Sequence, residues 1–127
     1  MRSVDTNVLV SLLTRDDAKQ AAHADEFVAS RAWVSHLVLV ETTWVLSAVY
    51  ELDQPKIATA LEMLLSHRTL SIQEPDVVRE ALEHFRKKPS LGFSDCLIVE
   101  VARAAGHVPL GTFDKDLGKL PGAQRLV

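Results

Sequence analysis

The chain has 127 residues, with 14 Lys and Arg against 17 Asp and Glu and a formal charge of -3. This length can bury one ordinary hydrophobic core, so we predict a single domain over residues 1–127. The excess of acidic residues excludes a protein whose whole surface is basic and binds nucleic acid. The low content of Gly and Pro, five of each, excludes collagen-like and disordered chains.

Short β-rich segments alternate with longer helical segments in the amino-terminal part of the chain. The Asp-Thr-Asn cluster at residues 5–7 favours a turn and a helix start after the first strand. His36–Tyr50 is almost entirely apolar, which predicts a buried helix. The predicted strands are Arg2–Val4, Ala32–Ser35 and Thr69–Ile72, and the predicted helices are Val8–Leu13, Asp16–Ser30, His36–Tyr50 and a helix that begins at Gln54-Pro55.

The carboxyl-terminal part continues this alternation. A helix is predicted at Asp76–Arg86, and a second helix at Ser94–Ala105 ends at Gly106. Two further strands are predicted at His107–Leu110 and Arg125–Val127. Because helices separate the strands, the strands pair in parallel. The pattern therefore predicts an α/β fold, a three-layer α/β/α domain with a central, mostly parallel sheet.

Acidic residues follow the predicted strands, and ligands of open parallel sheets bind beyond the carboxyl ends of the strands. Asp5 follows the first strand, although a helix N-cap would by itself explain an Asp there. Asp95 lies in the first turn of a helix, where an acid complements the helix dipole. Asp114 and Asp116 follow the fourth strand, and each alone is typical of a solvated turn. Together these acids indicate one shared rim of the fold.

Glu41 lies in an apolar helix, with Leu37, Trp44 and Ala48 at helical spacing around it. An unpaired charge in an apolar stripe is unfavourable. The carboxylate is therefore compensated by a cation, faces a cleft, or lies on a side of the helix that faces solvent. The apolar residues on the other sides of this helix argue against solvent, so we predict a functional role for Glu41.

Converging carboxylates repel one another, by about 4 kcal/mol for each pair at 4 Å and an effective dielectric near 20. Such a cluster requires a bound cation or retained protons. No His or Cys has ligand spacing here, and an all-oxygen site favours a hard ion, Mg²⁺ or Mn²⁺. Divalent ions held by carboxylates support the hydrolysis of phosphodiester bonds.

The four segments DTNVLV, ETTWVL, FSDCLIV and TFDKDL occur in this order and resemble the motifs of PIN-domain ribonucleases, especially the VapC-like toxins of bacterial toxin–antitoxin pairs. The resemblance extends from Val4 to the last strand. It implies a PIN-like endoribonuclease that cleaves RNA with a metal-activated water. The residues that it implies as both catalytic and metal-coordinating are Asp5, Glu41, Asp95 and Asp114, with Mg²⁺ or Mn²⁺ as the cofactor.

The same resemblance implies further roles and partners. Asp116 is an additional acid beside these four, and Asn7 and Thr112 are polar residues that orient the carboxylates or bound waters. The chain would be the toxin of its pair, would form a homodimer, and would bind a small antitoxin protein.

Two alternatives stay open. A haloacid-dehalogenase-like phosphatase would use Asp5 as its nucleophile, but it expects a second aspartate two residues later, where this chain has Asn7. A catalytically silent PIN-like scaffold would use the acids only for stability or for docking RNA.

Other residues suggest the surroundings of the site and the location of the protein. The cationic candidates for RNA contacts are Arg15, Arg86, Lys87, Lys88, Lys115 and Lys119, and the stacking candidates are Trp33, Trp44 and Phe93. The single cysteine, Cys96, cannot form an intrachain disulfide, which fits a reducing compartment. No apolar run is long enough to span a membrane. We therefore expect a soluble, cytoplasmic protein with no membrane partner.

Overall fold

A computed structural model describes all 127 residues, which form two compact units, Met1–Pro75 and Asp76–Val127. The amino-terminal unit contains β1 (Arg2–Ser3), α1 (Thr6–Thr14), α2 (Ala18–Ala29), β2 (Ala32–Val34), α3 (His36–Ala48), α4 (Gln54–Ser66) and β3 (Leu70–Ile72). The carboxyl-terminal unit contains α5 (Pro75–Lys87), α6 (Phe93–Ala104), β4 (Leu110–Thr112), a 3-10 turn (Leu117–Lys119) and β5 (Ala123–Arg125). None of the helices combines the length and the apolar character needed to cross a membrane.

The amino-terminal unit is built on a three-stranded sheet in the order β1-β2-β3. β2 pairs in parallel with both neighbours, with Ala32 opposite Arg2 on one side and Leu70 on the other. Helices α1 and α2 connect β1 to β2, and α3 and α4 connect β2 to β3. The predicted α/β class, with parallel strands joined through helices, is confirmed.

Side-chain caps fix where the helices of this unit begin. The oxygens of Asp5, Asp17, Ser35 and Asp53 each accept hydrogen bonds from backbone N–H groups in the first turn of α1, α2, α3 and α4, respectively. Each cap satisfies donors that a helix start leaves without partners, and contributes about 1 kcal/mol. The helix starts were predictable because this chemistry is local in sequence.

The prediction that α3 is buried throughout is wrong for one face. Leu37 is 81% exposed and Trp44 66% exposed, whereas Thr42 and Thr43 are buried. The Thr42 hydroxyl donates to the carbonyl of Val38 at 2.7 Å, and that of Thr43 to the carbonyl of Val40 at 2.8 Å. Because these hydroxyls are satisfied within the helix, the polar side of α3 can face inward. The fully buried side chains in this unit include Leu9, Val34, Leu39, Leu46 and Leu61.

The carboxyl-terminal unit combines two helices with a two-stranded parallel sheet. The rings of Phe85 in α5 and Phe93 in α6 meet edge to face, with centroids 6.0 Å apart. β4 pairs with β5 so that Leu110 lies opposite Ala123 and Thr112 opposite Arg125. The two sheets of the chain are therefore each formed by strands of one unit, and every strand pair is parallel.

Both strands of this unit are displaced from their predicted positions. The sequence predicts β4 at His107–Leu110, but the His107 N–H donates to the carbonyl of Ala102 at the end of α6, and Pro109 has no N–H to donate. The ladder begins only at Leu110, whose N–H donates to the carbonyl of Gly122 at 2.8 Å. β5 correspondingly lies at Ala123–Arg125 rather than at Arg125–Val127.

Candidate active site

Asp5 lies just beyond β1 and has an exposed carboxylate. The strand pairing continues to Val4, whose N–H donates to the carbonyl of Trp33 at 3.2 Å. Asp5 Oδ1 then accepts from the N–H of Val8 at 3.2 Å, so Asp5 is the N-cap of α1. The cap fixes the orientation of this carboxylate through one oxygen, and the side chain also lines a cavity with Val8, Phe27 and Val38.

Thr6 connects this turn to Glu41. The Thr6 hydroxyl donates to Glu41 Oε1 at 2.5 Å, across a separation of 35 residues in sequence. Glu41 lies on the exposed face of α3, so the inference that the apolar residues of this helix keep its carboxylate away from solvent is wrong. Thr6 is therefore a residue beside Asp5 that holds a second acid. The sequence signal was the hydroxyl at the first helical position, next to the capping aspartate.

Asp95 lies in the first turn of α6 and is half-buried. The N-cap of α6 is Gly92, which offers no side-chain cap, so Asp95 is the acid that complements the positive end of this helix. Its neighbour Cys96 is buried and free. Burial, with smaller contributions from the charges of Asp95 and Glu100, raises the pKa of the Cys96 thiol to about 11.

Asp114 is fixed in the turn after β4. Its Oδ1 accepts from the N–H of Leu117 at 2.8 Å, and its own N–H donates to Thr112 Oγ1 at 3.0 Å. Thr112 therefore orients Asp114 through the backbone. Asp116, two residues later, lies 3.9 Å from the ammonium of Lys119.

A buried acid that no sequence pattern indicated lies in α6. Glu100 is 5% exposed, and its two oxygens lie 3.0 Å from His84 Nε2 and 3.5 Å from Arg103 Nε. The Arg103 contact has helical i, i+3 spacing, whereas His84 comes from α5. This network satisfies the carboxylate within the carboxyl-terminal unit, so Glu100 has a structural role.

Three of the six cationic candidates are paired with acids. Arg15 lies 2.6 Å from Asp25 and lowers the pKa of that carboxyl through a hydrogen bond, and Lys119 is near Asp116. Arg86 lies 3.4 Å from Glu83. By contrast Lys115 is exposed and has no ion-pair partner.

The stacking candidates differ in exposure. Phe93 is 2% exposed, which excludes it from stacking on a ligand, whereas Trp33 is 39% and Trp44 66% exposed. Phe113 was not selected from the sequence, and its 77% exposure is the highest of these aromatic side chains.

The predicted acids fit a divalent ion in the chemistry of their donors, because carboxylate oxygens are the ligands that Mg²⁺ and Mn²⁺ prefer. The structure contains no group of three or more His, Cys, Asp or Glu side chains that could hold a metal ion. It brings Glu41 to the turn of Asp5 through Thr6 in one unit, and places Asp95 and Asp114 in the other.

A family model described as the PIN domain matches residues 3–123, nearly the whole chain. No curated protein matches the chain, and no solved structure does.

Proposed function

Because the chain belongs to the PIN-domain family, we propose that it is an endoribonuclease that hydrolyses RNA phosphodiester bonds with Mg²⁺ or Mn²⁺ and a water nucleophile. PIN domains are generally nucleases that act on RNA or other nucleic acid and depend on divalent metal ions. A haloacid-dehalogenase-like phosphatase is disfavoured by this family membership and by Asn7 at the position of its second aspartate.

One shared feature of three acids carries the proposal. Asp5, Glu41 and Asp114 each have one carboxylate oxygen held by a protein donor, at 3.2, 2.5 and 2.8 Å. Such contacts orient a ligating carboxylate and leave its second oxygen for an ion. A helix cap alone explains Asp5, and a turn alone explains Asp114, but neither explains why the exposed Glu41 is held by Thr6.

In this proposal the ion is held by Asp5, Glu41, Asp95 and Asp114. When bound, it neutralises charge on the scissile phosphate and lowers the pKa of an attacking water. The donor contacts restrict the carboxylates before the ion binds, which lowers the entropy lost on binding. Asp116 is assigned outside the ligand set, since Lys119 already lies near its carboxylate.

The proposal is tested by incubating single-stranded RNA with the protein and Mg²⁺ or Mn²⁺. We expect cleavage that EDTA stops and that Asp5→Asn and Asp95→Asn each abolish, with the fold intact by circular dichroism. Asp76→Asn is the matched control, because this aspartate is fully exposed and its only ion pair is with Arg79 on the same helix. Cleavage that survives the two site substitutions would overturn the mechanism, and RNA binding without cleavage would favour the silent scaffold.

We further propose that the protein is the toxin of a toxin–antitoxin pair, that it acts in the cytoplasm, and that it forms a homodimer and binds a small antitoxin protein. The toxin role is supported by the order of the four acidic motifs, and the cytoplasmic location by the single free cysteine. Protein interfaces are supported by exposed apolar side chains on and just after α3: Leu37, Trp44 and Val49.

The toxin role is tested by expression in a bacterial host. We expect expression of the wild type to arrest growth and expression of Asp5→Asn to leave growth unchanged. Growth arrest by both proteins would contradict a toxin that acts through its nuclease site. Light scattering should give about twice the chain mass of 14.0 kDa, and Val49→Asp should shift the mass toward the monomer.

A further inference from the structure

Phe113 lies at the point where β4 ends, one residue before Asp114. Its side chain is 77% exposed. A single exposed apolar residue is ordinary on a protein surface, so the exposure alone indicates no ligand. The neighbours of Phe113 decide what the position is suited to bind.

Arg125 lies at the same edge of the sheet. It pairs with Thr112 in the parallel ladder, and Leu126 N–H donates to the Thr112 carbonyl at 2.8 Å. Residues that follow β4 therefore emerge within about 5 Å of the end of β5, the usual spacing of neighbouring strands. Arg125 is exposed and has no ion-pair partner.

Gly118 allows Arg125 to lie where it does. A Cβ atom at position 118 would lie 2.8 Å from the Cβ of Arg125 and 3.3 Å from its backbone. The 3-10 turn that carries Gly118 is held to Asp114, whose carbonyl accepts from the Gly118 N–H at 3.0 Å. The same turn therefore fixes the position of Asp114 and the point where the Arg125 side chain leaves the backbone.

Charge distinguishes this edge from the other exposed aromatic position, Trp44. Lys115, which has no ion-pair partner, lies two residues after Phe113, and Arg125 lies opposite Thr112, the residue before Phe113. Trp44, by contrast, shares its helix face with the apolar Leu37. The carboxyl-terminal unit has eight Lys and Arg against seven Asp and Glu, and the amino-terminal unit has six against ten. An exposed aromatic ring with two unpaired cations on the neighbouring residues of the same sheet edge fits a nucleotide better than an apolar protein surface.

We propose that Phe113 stacks on an unpaired base of single-stranded RNA, while Lys115 and Arg125 contact the phosphates on either side of that base. The inference rests on the proposed ribonuclease function and adds the residues that hold the substrate strand next to Asp114. An aromatic ring stacks on every base, so this contact gives affinity for unpaired RNA with little sequence preference.

The test measures binding of a fluorescein-labelled, 12-nucleotide single-stranded RNA to the full chain in EDTA, where no cleavage occurs. Phe113→Ala should weaken binding about 5- to 100-fold and Phe113→Trp should retain it. Loss of stacking leaves the slope of log affinity against log salt unchanged, whereas Lys115→Gln and Arg125→Gln should each reduce that slope by about 0.7. The matched controls are Met63→Ala, an exposed apolar side chain, and Arg68→Gln, an exposed cation.

Binding that is unchanged in Phe113→Ala, or a wild type that does not bind this RNA, would overturn the inference. Equal losses in Met63→Ala or Arg68→Gln would also overturn it, because the effect would not belong to this edge. Cleavage by the wild type tests the proposed function separately. RNA bound through Phe113 but never cut would refute the nuclease and leave the stacking contact standing.

Discussion

Glu41 and Glu100 both lie in apolar helices, and the structure places them in opposite environments. Glu41 is exposed and held by a single hydroxyl, that of Thr6. Glu100 is buried and lies against the basic groups of His84 and Arg103. A buried carboxylate is tolerated where protein partners satisfy both oxygens. Glu41 keeps one carboxylate oxygen free to bind an ion, whereas both oxygens of Glu100 already have protein partners. This difference separates a candidate metal ligand from a structural residue.

The largest expected effect is on catalysis. Glu41→Gln keeps the shape of the side chain and an oxygen that can accept from Thr6, but removes the charge that holds a cation. We expect the initial rate of RNA cleavage to fall about 100-fold or more, with an unchanged melting temperature. A rate within twofold of the wild type would assign Glu41 to the surface rather than to the site.

Glu100→Gln should show the reverse pattern. The substitution replaces charge-assisted contacts with His84 and Arg103 by weaker neutral contacts, so we expect a loss of about 2 kcal/mol in the free energy of unfolding. The cleavage rate per folded molecule should be unchanged. Urea denaturation measures the loss, with the exposed Glu80→Gln as the control. A stable Glu100→Gln variant without activity would reverse the roles of the two glutamates.

Thr6 makes the comparison sharper because it contacts only the exposed acid. Thr6→Val removes the hydroxyl that orients Glu41 and keeps the side-chain shape, so the cleavage rate should fall about 10-fold. Thr6→Ser retains the hydroxyl and should restore most of the rate. The ratio of the two variant rates is the readout, and equal rates would show that this hydrogen bond has no part in catalysis.

Cys96 is a buried ionisable group without a cationic partner, and its effect should appear only at high pH. In the unfolded chain the thiol ionises near its ordinary pKa of 9.0, whereas in the folded chain burial raises the pKa to about 11. Between these values the folded state binds more protons, so stability falls as pH rises, by about 1 kcal/mol near pH 10. The free energy of unfolding should fall less steeply from pH 8 to 10 in Cys96→Ala. Parallel slopes would contradict the raised pKa.

The parts of the fold that depend on local chemistry could be predicted from sequence. Asp17 and Asp53 cap helices at the positions where the sequence changes from turn to helix, and Gly106 has the positive φ that ends α6. The position of β4 could not be predicted, because an apolar run does not show that the N–H of His107 is used by the preceding helix.

The resemblance to the family motifs is the basis for proposing Asp5, Glu41, Asp95 and Asp114 as the site. The exposed face of α3, however, could not be identified from the number of its apolar residues. The hydroxyls of Thr42 and Thr43 donate to carbonyls of the same helix. The face that carries them can therefore be buried, while the apolar Leu37 and Trp44 face solvent. The partner of Glu100 was also hidden, because His84 is 16 residues away and its contact depends on how α5 and α6 pack.

The most direct measurement is Mn²⁺ binding by isothermal titration calorimetry to the wild type, Asp5→Asn, Asp95→Asn and the double variant. If these acids hold one ion together, each single substitution should weaken binding at least 10-fold, and the double variant should bind little worse than either single variant, because the ligands act as a unit. Losses that add independently, or Mn²⁺ affinity unchanged by both substitutions, would contradict a shared ion.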